Sequence, residues 1–333
     1  MNLKQMIDRS EEYDTHKADQ VERVDAVRFV PSGIALPDSL FGGAVEYGFT
    51  DWALGQVCNK LGPPPTHYIK QCPGWLRAAN FEHWRKDLIE QDAEKKWLVR
   101  SYDNDCRALL SNEYSTLANT SMLKWADEYT STLNGGPTHV RPYLDADTMH
   151  LKMIFRTQDF GNGKGEWGFG IYLGNGEIGN RRVRALPLIQ RHSCDNSIII
   201  TEGGTTIVHR FKSEHFIEAS VKQGILEGLR MSVEQIDAVW KAAVDEIEDL
   251  DKVLAKLCKQ KGWDDDTKNR ILMGTEGEST VLGAINGISY AAHQQDDPEL
   301  AVDMETFAGS ILVDRNSLFG QATRKIREEI TVR

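Results

Sequence analysis

Cysteine is scarce in this chain. The five present, Cys58, Cys72, Cys106, Cys194 and Cys258, are odd in number and none sits in a CxxC pair. That spacing indicates neither a disulfide framework nor a closed zinc site, and points to a reducing, cytoplasmic setting. Long hydrophobic runs are missing as well. None approaches the roughly 18 residues that cross a bilayer, so no membrane partner is expected. Met1–Ser10 has no apolar core between a basic flank and a cleavage site, so export is not expected. A basic excess is also absent, with 39 Lys and Arg against 50 Asp and Glu and a net charge of −11. Global charge therefore supplies no general attraction to nucleic acid or anionic lipid, although a local basic groove stays open.

Catalytic signatures are equally thin. The histidines show no HExxH or His-x-His spacing, no GxSxG element occurs, and no Cys–His pair stands out locally. Gly161–Asn162–Gly163–Lys164–Gly165 lacks the GK[ST] ending of a phosphate-cradling loop and precedes a strand rather than a helix. No cofactor, resident metal or covalent catalysis is called for.

What is present is the composition of a globular chain, 40% hydrophobic and 27% charged over 333 residues. The pattern predicts an α+β fold: a central antiparallel sheet with hairpins, flanked by N-terminal helices and a helical C-terminal third. Residues 1–140 read as a mixed α/β region, 141–212 as a strand-rich core and 213–333 as helical. Thr50 and Gly62 bracket one helix, and Trp97–Tyr102 and Cys106–Leu110 read as strands. Met149, Leu151, Met153 and Phe155 alternate with His150, Lys152, Ile154 and Arg156. Trp167, Phe169 and Ile171 alternate with Gly168, Gly170 and Tyr172. Gly174–Asn175–Gly176 reads as a turn, and Arg182–Leu188, Ser197–Thr201 and Thr205–Val208 as further strands. Phe216, Ile217, Val221, Ile225 and Leu229 mark one helix face. A capping box at Ser232 and Gln235 predicts a long helix running to Gly262. Shorter helices are expected over 279–293, 299–312 and 317–329.

The clearest electrostatic feature is Arg181, Arg182, Arg184 and Arg191, with no acid between Ile178 and His192. Lys152, Arg156 and Lys164 on the neighbouring strands would extend it into a basic sheet face, and guanidinium forks match phosphate oxygens bidentately. Tyr172, on the face opposite Trp167 and Phe169, is the expected stacking residue for a base. The same residues admit a structural reading, with Trp167 and Phe169 in the core and the arginines paired to the acidic C-terminal helices. Arg107 and Arg191 are read likewise as ion-pair partners, and Cys106 and Cys194 as small core residues.

Three segments carry a resemblance: Cys106–Arg107–Ala108–Leu109–Leu110–Ser111–Asn112–Glu113–Tyr114, then the run Leu186–Asn196, then Ala284–Ile285–Asn286–Gly287 followed by His293. Together they resemble a family of phage- and plasmid-borne proteins of unassigned function, over about residues 55–293. Ser197 departs from the pattern, where the family carries glycine. The resemblance implies a mobile-element setting, and the layout is similar to phage single-strand annealing proteins.

The expected function is thus a cytoplasmic, phage-type protein that binds single-stranded DNA and supports annealing or recombination. It would act as a homo-oligomer, with a phage exonuclease or host protein as a further partner. Phosphates fall to Lys152, Lys164, Arg181, Arg182, Arg184 and Arg191, the groove wall to Arg156 and stacking to Tyr172. One alternative is a phage product that binds a host defence or replication factor through its acidic helices. Another is a metal-dependent nucleic-acid enzyme using Asp145, Asp147 and a histidine.

Overall fold

A computed structural model describes residues 1–38, 43–62, 65–133, 136–159, 166–191 and 196–319. The chain enters through α1 (Leu3–Asp14), where Asn2 and Gln5 form a reciprocal capping box. Six strands follow around a helical excursion: β1 (Lys17–Arg23), β2 (Arg28–Val30), β3 (Gly33–Pro37), β4 (Ala44–Phe49), β5 (Lys96–Tyr102) and β6 (Asp105–Ser111). They form one sheet in the order β1-β5-β6-β4-β3-β2, antiparallel except where β4 runs beside β6. The excursion comprises α2 (Asp51–Leu61), α3 (Thr66–Gln71) and α4 (Gly74–Gln91). Thr50 caps α2 by accepting the Ala53 amide, and Gly62 ends it at φ 91°. Period-2 alternation sends Trp97, Val99 and Leu109 into a core with Phe29, Ile34, Val57 and Phe81.

The second sheet is wholly antiparallel. After α5 (Asn119–Ser131) come β7 (His139–Leu144), β8 (Thr148–Asp159), β9 (Glu166–Gly176), β10 (Val183–Arg191) and β11 (Asn196–Ile199). They order as β11-β10-β9-β8-β7, with β12 (Thr205–Ile207) also on β10. Gly174–Asn175–Gly176 is not a turn but the end of β9. The hairpin between β8 and β9 is present, while its connection, residues 160–165, lies outside the described residues.

Helices cover both faces of this sheet. On one face Ile171, Leu173, Val183 and Ala185 pack with α1, α5 and α6 (Glu214–Glu234). Further along that face, Trp167, Phe169 and Ile189 meet the C-terminal helices. These are α7 (Ile236–Val244), α8 (Leu250–Lys261), α9 (Asp265–Gly274) and α10 (Val281–His293). The opposite face, with Ile154, Tyr172, Leu186, Leu188 and Ile199, lies under Val302 of α11 (Pro298–Val313). The fold is α+β.

Two helical expectations need correction. The long helix from Ser232 does not exist: Ser232 lies inside α6, buried, and its hydroxyl donates to the Leu229 carbonyl instead of capping. The apolar line breaks after Val244 because residues 245–247 turn to pair with 279–281. Ile247 donates to the Ser279 carbonyl and Val281 to that of Asp245. Asp249 then starts α8 by accepting the Lys252 amide, and Gly262 ends it at φ 69° as the sequence predicts. Phe216, placed inward with Ile217, Val221 and Ile225, is 47% exposed while those three are buried. Of the helix expected over 317–329, Arg315–Phe319 forms a 3-10 turn and the rest lies outside the described residues.

Candidate nucleic-acid interface

The register brings part of the expected basic face together. Lys152 pairs with Tyr172, and Tyr172 with Leu186; His150 pairs with Gly174, and Gly174 with Arg184. Cross-strand partners share a face, so Lys152, Tyr172, His150 and Arg184 lie on one side of the sheet. Helix α11 covers that side with acids. Lys152 Nζ sits 2.5 Å from Glu305, and Arg181 bonds both Glu299 and Asp303. The pairing with acidic C-terminal helices is therefore what the structure shows for Lys152 and Arg181.

Tyr172 cannot serve as a stacking platform where it lies. It is 1% exposed, and its hydroxyl is 2.7 Å from His150 Nδ1. Gly174 makes this geometry possible, since a Cβ there would lie 2.3 Å from the Tyr172 hydroxyl oxygen. Neutral His150 accepts from Tyr172 at Nδ1 and faces Glu299 at 3.3 Å through Nε2. Burial, with Arg181 and Lys152 nearby, pushes its pKa down to about 4.

Arg156 and Arg191 leave that face. The β8–β9 register slips between Ile154 and Arg156, so Arg156 pairs with Phe169 on the opposite side and is exposed. Arg191 pairs with Trp167, also on that side, and its Nη1 lies 3.2 Å from Glu276. Lys164, His192 and Cys194 lie outside the described residues.

Three of the predicted arginines converge at the edge of that face, by the start of β10. Arg181, Arg182 and Arg184 line an open cleft of about 440 Å³ with Arg210, Asn180, Tyr114 and His209. No salt bridge engages Arg184 among the described residues. Arg210 pairs with Glu113 at 2.9 Å, but both side chains are largely exposed, so the pair is weak and exchangeable. The Tyr114 and His209 rings stack at 5.0 Å, nearly parallel, and the Tyr114 hydroxyl donates to the Gly176 carbonyl. Burial lowers the His209 pKa and raises that of Tyr114, so both are neutral near pH 7.

The segment after β12 carries residues that sequence reasoning missed. Phe211 directly follows Arg210, is 66% exposed and holds φ at 53°, in the left-handed region. The strained conformation is fixed by its amide donating to the Glu113 carbonyl and by the Lys212 amide donating to Ser115 Oγ. The Arg210 guanidinium lies 4.9 Å from the Phe211 ring centre, and Lys212 Nζ 4.7 Å from that of Phe216. Exposed rings held against cations give a surface for stacking, with phosphate-binding charge beside it. The available signal was the run Arg210–Phe211–Lys212, an aromatic between two cations after a strand.

Arg107 serves the interior. The β5–β6 register steps from Ala108 to Cys106, leaving Arg107 as the extra residue of a bulge, aimed at the second sheet. Its Nη2 lies 2.9 Å from Glu177 and its Nη1 2.9 Å from Asp147. Buried Glu177 also takes Lys17 at 2.9 Å and the Asn119 amide at 2.7 Å, while its backbone carbonyl accepts from Arg100. Asp145 is occupied as well, accepting the amides of Asp147 and Thr148. Among the described residues, no group of His, Cys, Asp and Glu converges as a metal site. Cys106 is buried, and burial pushes its thiol up to about 12.

No helix among the described residues is long and apolar enough to cross a membrane. No family model, curated protein or solved structure matches this chain.

Proposed function

We propose that this protein binds single-stranded nucleic acid, with backbone phosphates in the arginine cleft and bases stacked on the adjacent exposed rings. The observation that carries the reading is the juxtaposition of Arg182, Arg184 and Arg210 in one open cleft with Phe211, exposed and strained, at the next position. In a chain of net charge −11 such a cluster is a local exception, and an anionic strand would be drawn to it rather than to the surface at large. Arg181, anchored to Glu299 and Asp303, forms the cleft wall, while Arg182, Arg184 and Arg210 contact phosphate. Phe211 and Phe216 replace Tyr172 as the stacking residues. Strand annealing or recombination, in the phage setting the motif resemblance implies, is the process this binding would serve. It would employ several copies of the chain along one strand and no covalent chemistry.

The test is fluorescence anisotropy with a labelled oligothymidylate at low and physiological salt. Tight, length-dependent binding that weakens with salt is expected. Arg182→Glu with Arg184→Glu should abolish it without changing the melting temperature, and unchanged affinity in that variant contradicts the site.

A further inference from the structure

A second site lies at the far end of β10, on the other face of the sheet. Trp167, Phe169, Ile189, Trp240, Ala243 and Leu282 are among the residues around a cavity of about 110 Å³, which Arg191, Glu278 and Asn286 also line. Asn286 is 3% exposed and its Oδ1 has no hydrogen-bond donor, and Arg191 Nε is likewise buried without an acceptor. Buried polar atoms are paired in the great majority of native sites, so two orphans on residues lining one aromatic cavity point to a missing partner.

We infer that this cavity binds a single-ring, neutral heterocycle bearing an in-plane amide, of which a pyrimidine base is the simplest example. Size sets the first limit. An apolar cavity of about 150 Å³ holds benzene, so one of about 110 Å³ has room for a single small ring at most. The lining sets the second, because indole and phenyl walls favour a flat, polarisable ring. Charge sets the third: Arg191 and Glu278 put both signs on the lining, so a neutral ring with its own donor and acceptor meets them without either ion losing water alone. The adjacent N–H and C=O of a pyrimidine then supply a donor for Asn286 Oδ1 and an acceptor for Arg191 Nε. The site is separate from the arginine cleft and does not depend on it.

Ligand-observed NMR with uracil titrated into the full chain tests the proposal, with benzoate, toluene and adenine as comparators. Uracil is expected to bind saturably and at least tenfold more tightly than each comparator. Ala243→Phe, which fills a half-buried lining position, should remove binding while leaving the melting temperature unchanged. Asn286→Leu should weaken it at least tenfold. Arg182→Glu with Arg184→Glu should leave uracil binding intact, which separates this site from the cleft. Absence of saturable binding at millimolar uracil, a comparator that binds as tightly, or full binding by Ala243→Phe would each overturn it.

Discussion

Glu177 is the residue on which most of the interior charge depends. Its carboxylate faces Lys17 and Arg107, with Arg100 at 3.8 Å, all nearly excluded from water. Glu177→Gln keeps the shape but removes the anion, leaving buried cations short of a partner. A loss of about 3–5 kcal/mol in urea unfolding is expected, and a loss below about 1 kcal/mol would show that water reaches the cluster. His150 offers a pH test. Its folded pKa of about 4 lies below the ordinary 6.5, so the unfolded chain takes up the proton first. Its contribution is fully present above about pH 6.5 and is lost as pH falls towards 4, up to on the order of 3 kcal/mol. Melting temperatures from pH 7 to 4 should fall less steeply for His150→Asn than for the parent; parallel curves refute the assignment. Phe211 separates binding from stability. Phe211→Gly relieves the positive φ and should stabilise by up to about 1 kcal/mol, while single-strand affinity falls by the about 1–3 kcal/mol that a stacked base contributes. Weaker binding together with a lower melting temperature would argue that the ring supports the fold.

Between elements, close approach decides where the helices lie. Gly309 of α11 lies against β11, where a Cβ would come within 2.0 Å of the Ile199 carbonyl oxygen. Gly309→Ala should therefore cost about 1–3 kcal/mol through overpacking, measured by denaturant titration; a neutral result would mean that α11 shifts freely over the sheet. The elements were legible where neighbouring residues alone set them. Strands β8, β9 and β10 and the capped helix α2 lie where the residue pattern places them, because local apolar runs and caps set each. β1 was less legible, since Lys17–Arg23 mixes charge and apolar residues without alternation. The break after α7 was hidden for a different reason. The apolar period continues through Ile247, and only pairing with residues 279–281, distant in sequence, ends the helix. The bulge before Arg156 is likewise invisible in the residue pattern, which carries no Gly or Pro at that point.

Across the whole molecule, the acidic excess and the arginine cluster turn out to be partly the same feature. Helix α11 lays Glu299, Asp303 and Glu305 against Lys152 of the sheet and Arg181 beside it, so much of the expected groove is internal. The sequence shows the arginines but not which of them an acid reaches, because those contacts join positions more than a hundred residues apart. What remains accessible is the cleft at the start of β10, joined to Arg210, Phe211 and Lys212 by the return of β12 to the same strand. The most direct measurement is the salt dependence of oligothymidylate binding by the parent and by Arg182→Glu with Arg184→Glu. If the cleft holds phosphates, the parent's log affinity falls linearly with log salt, and each lost contact reduces the slope by about 0.7. Equal slopes and equal affinities in the two proteins would place the nucleic acid elsewhere or rule it out as a ligand.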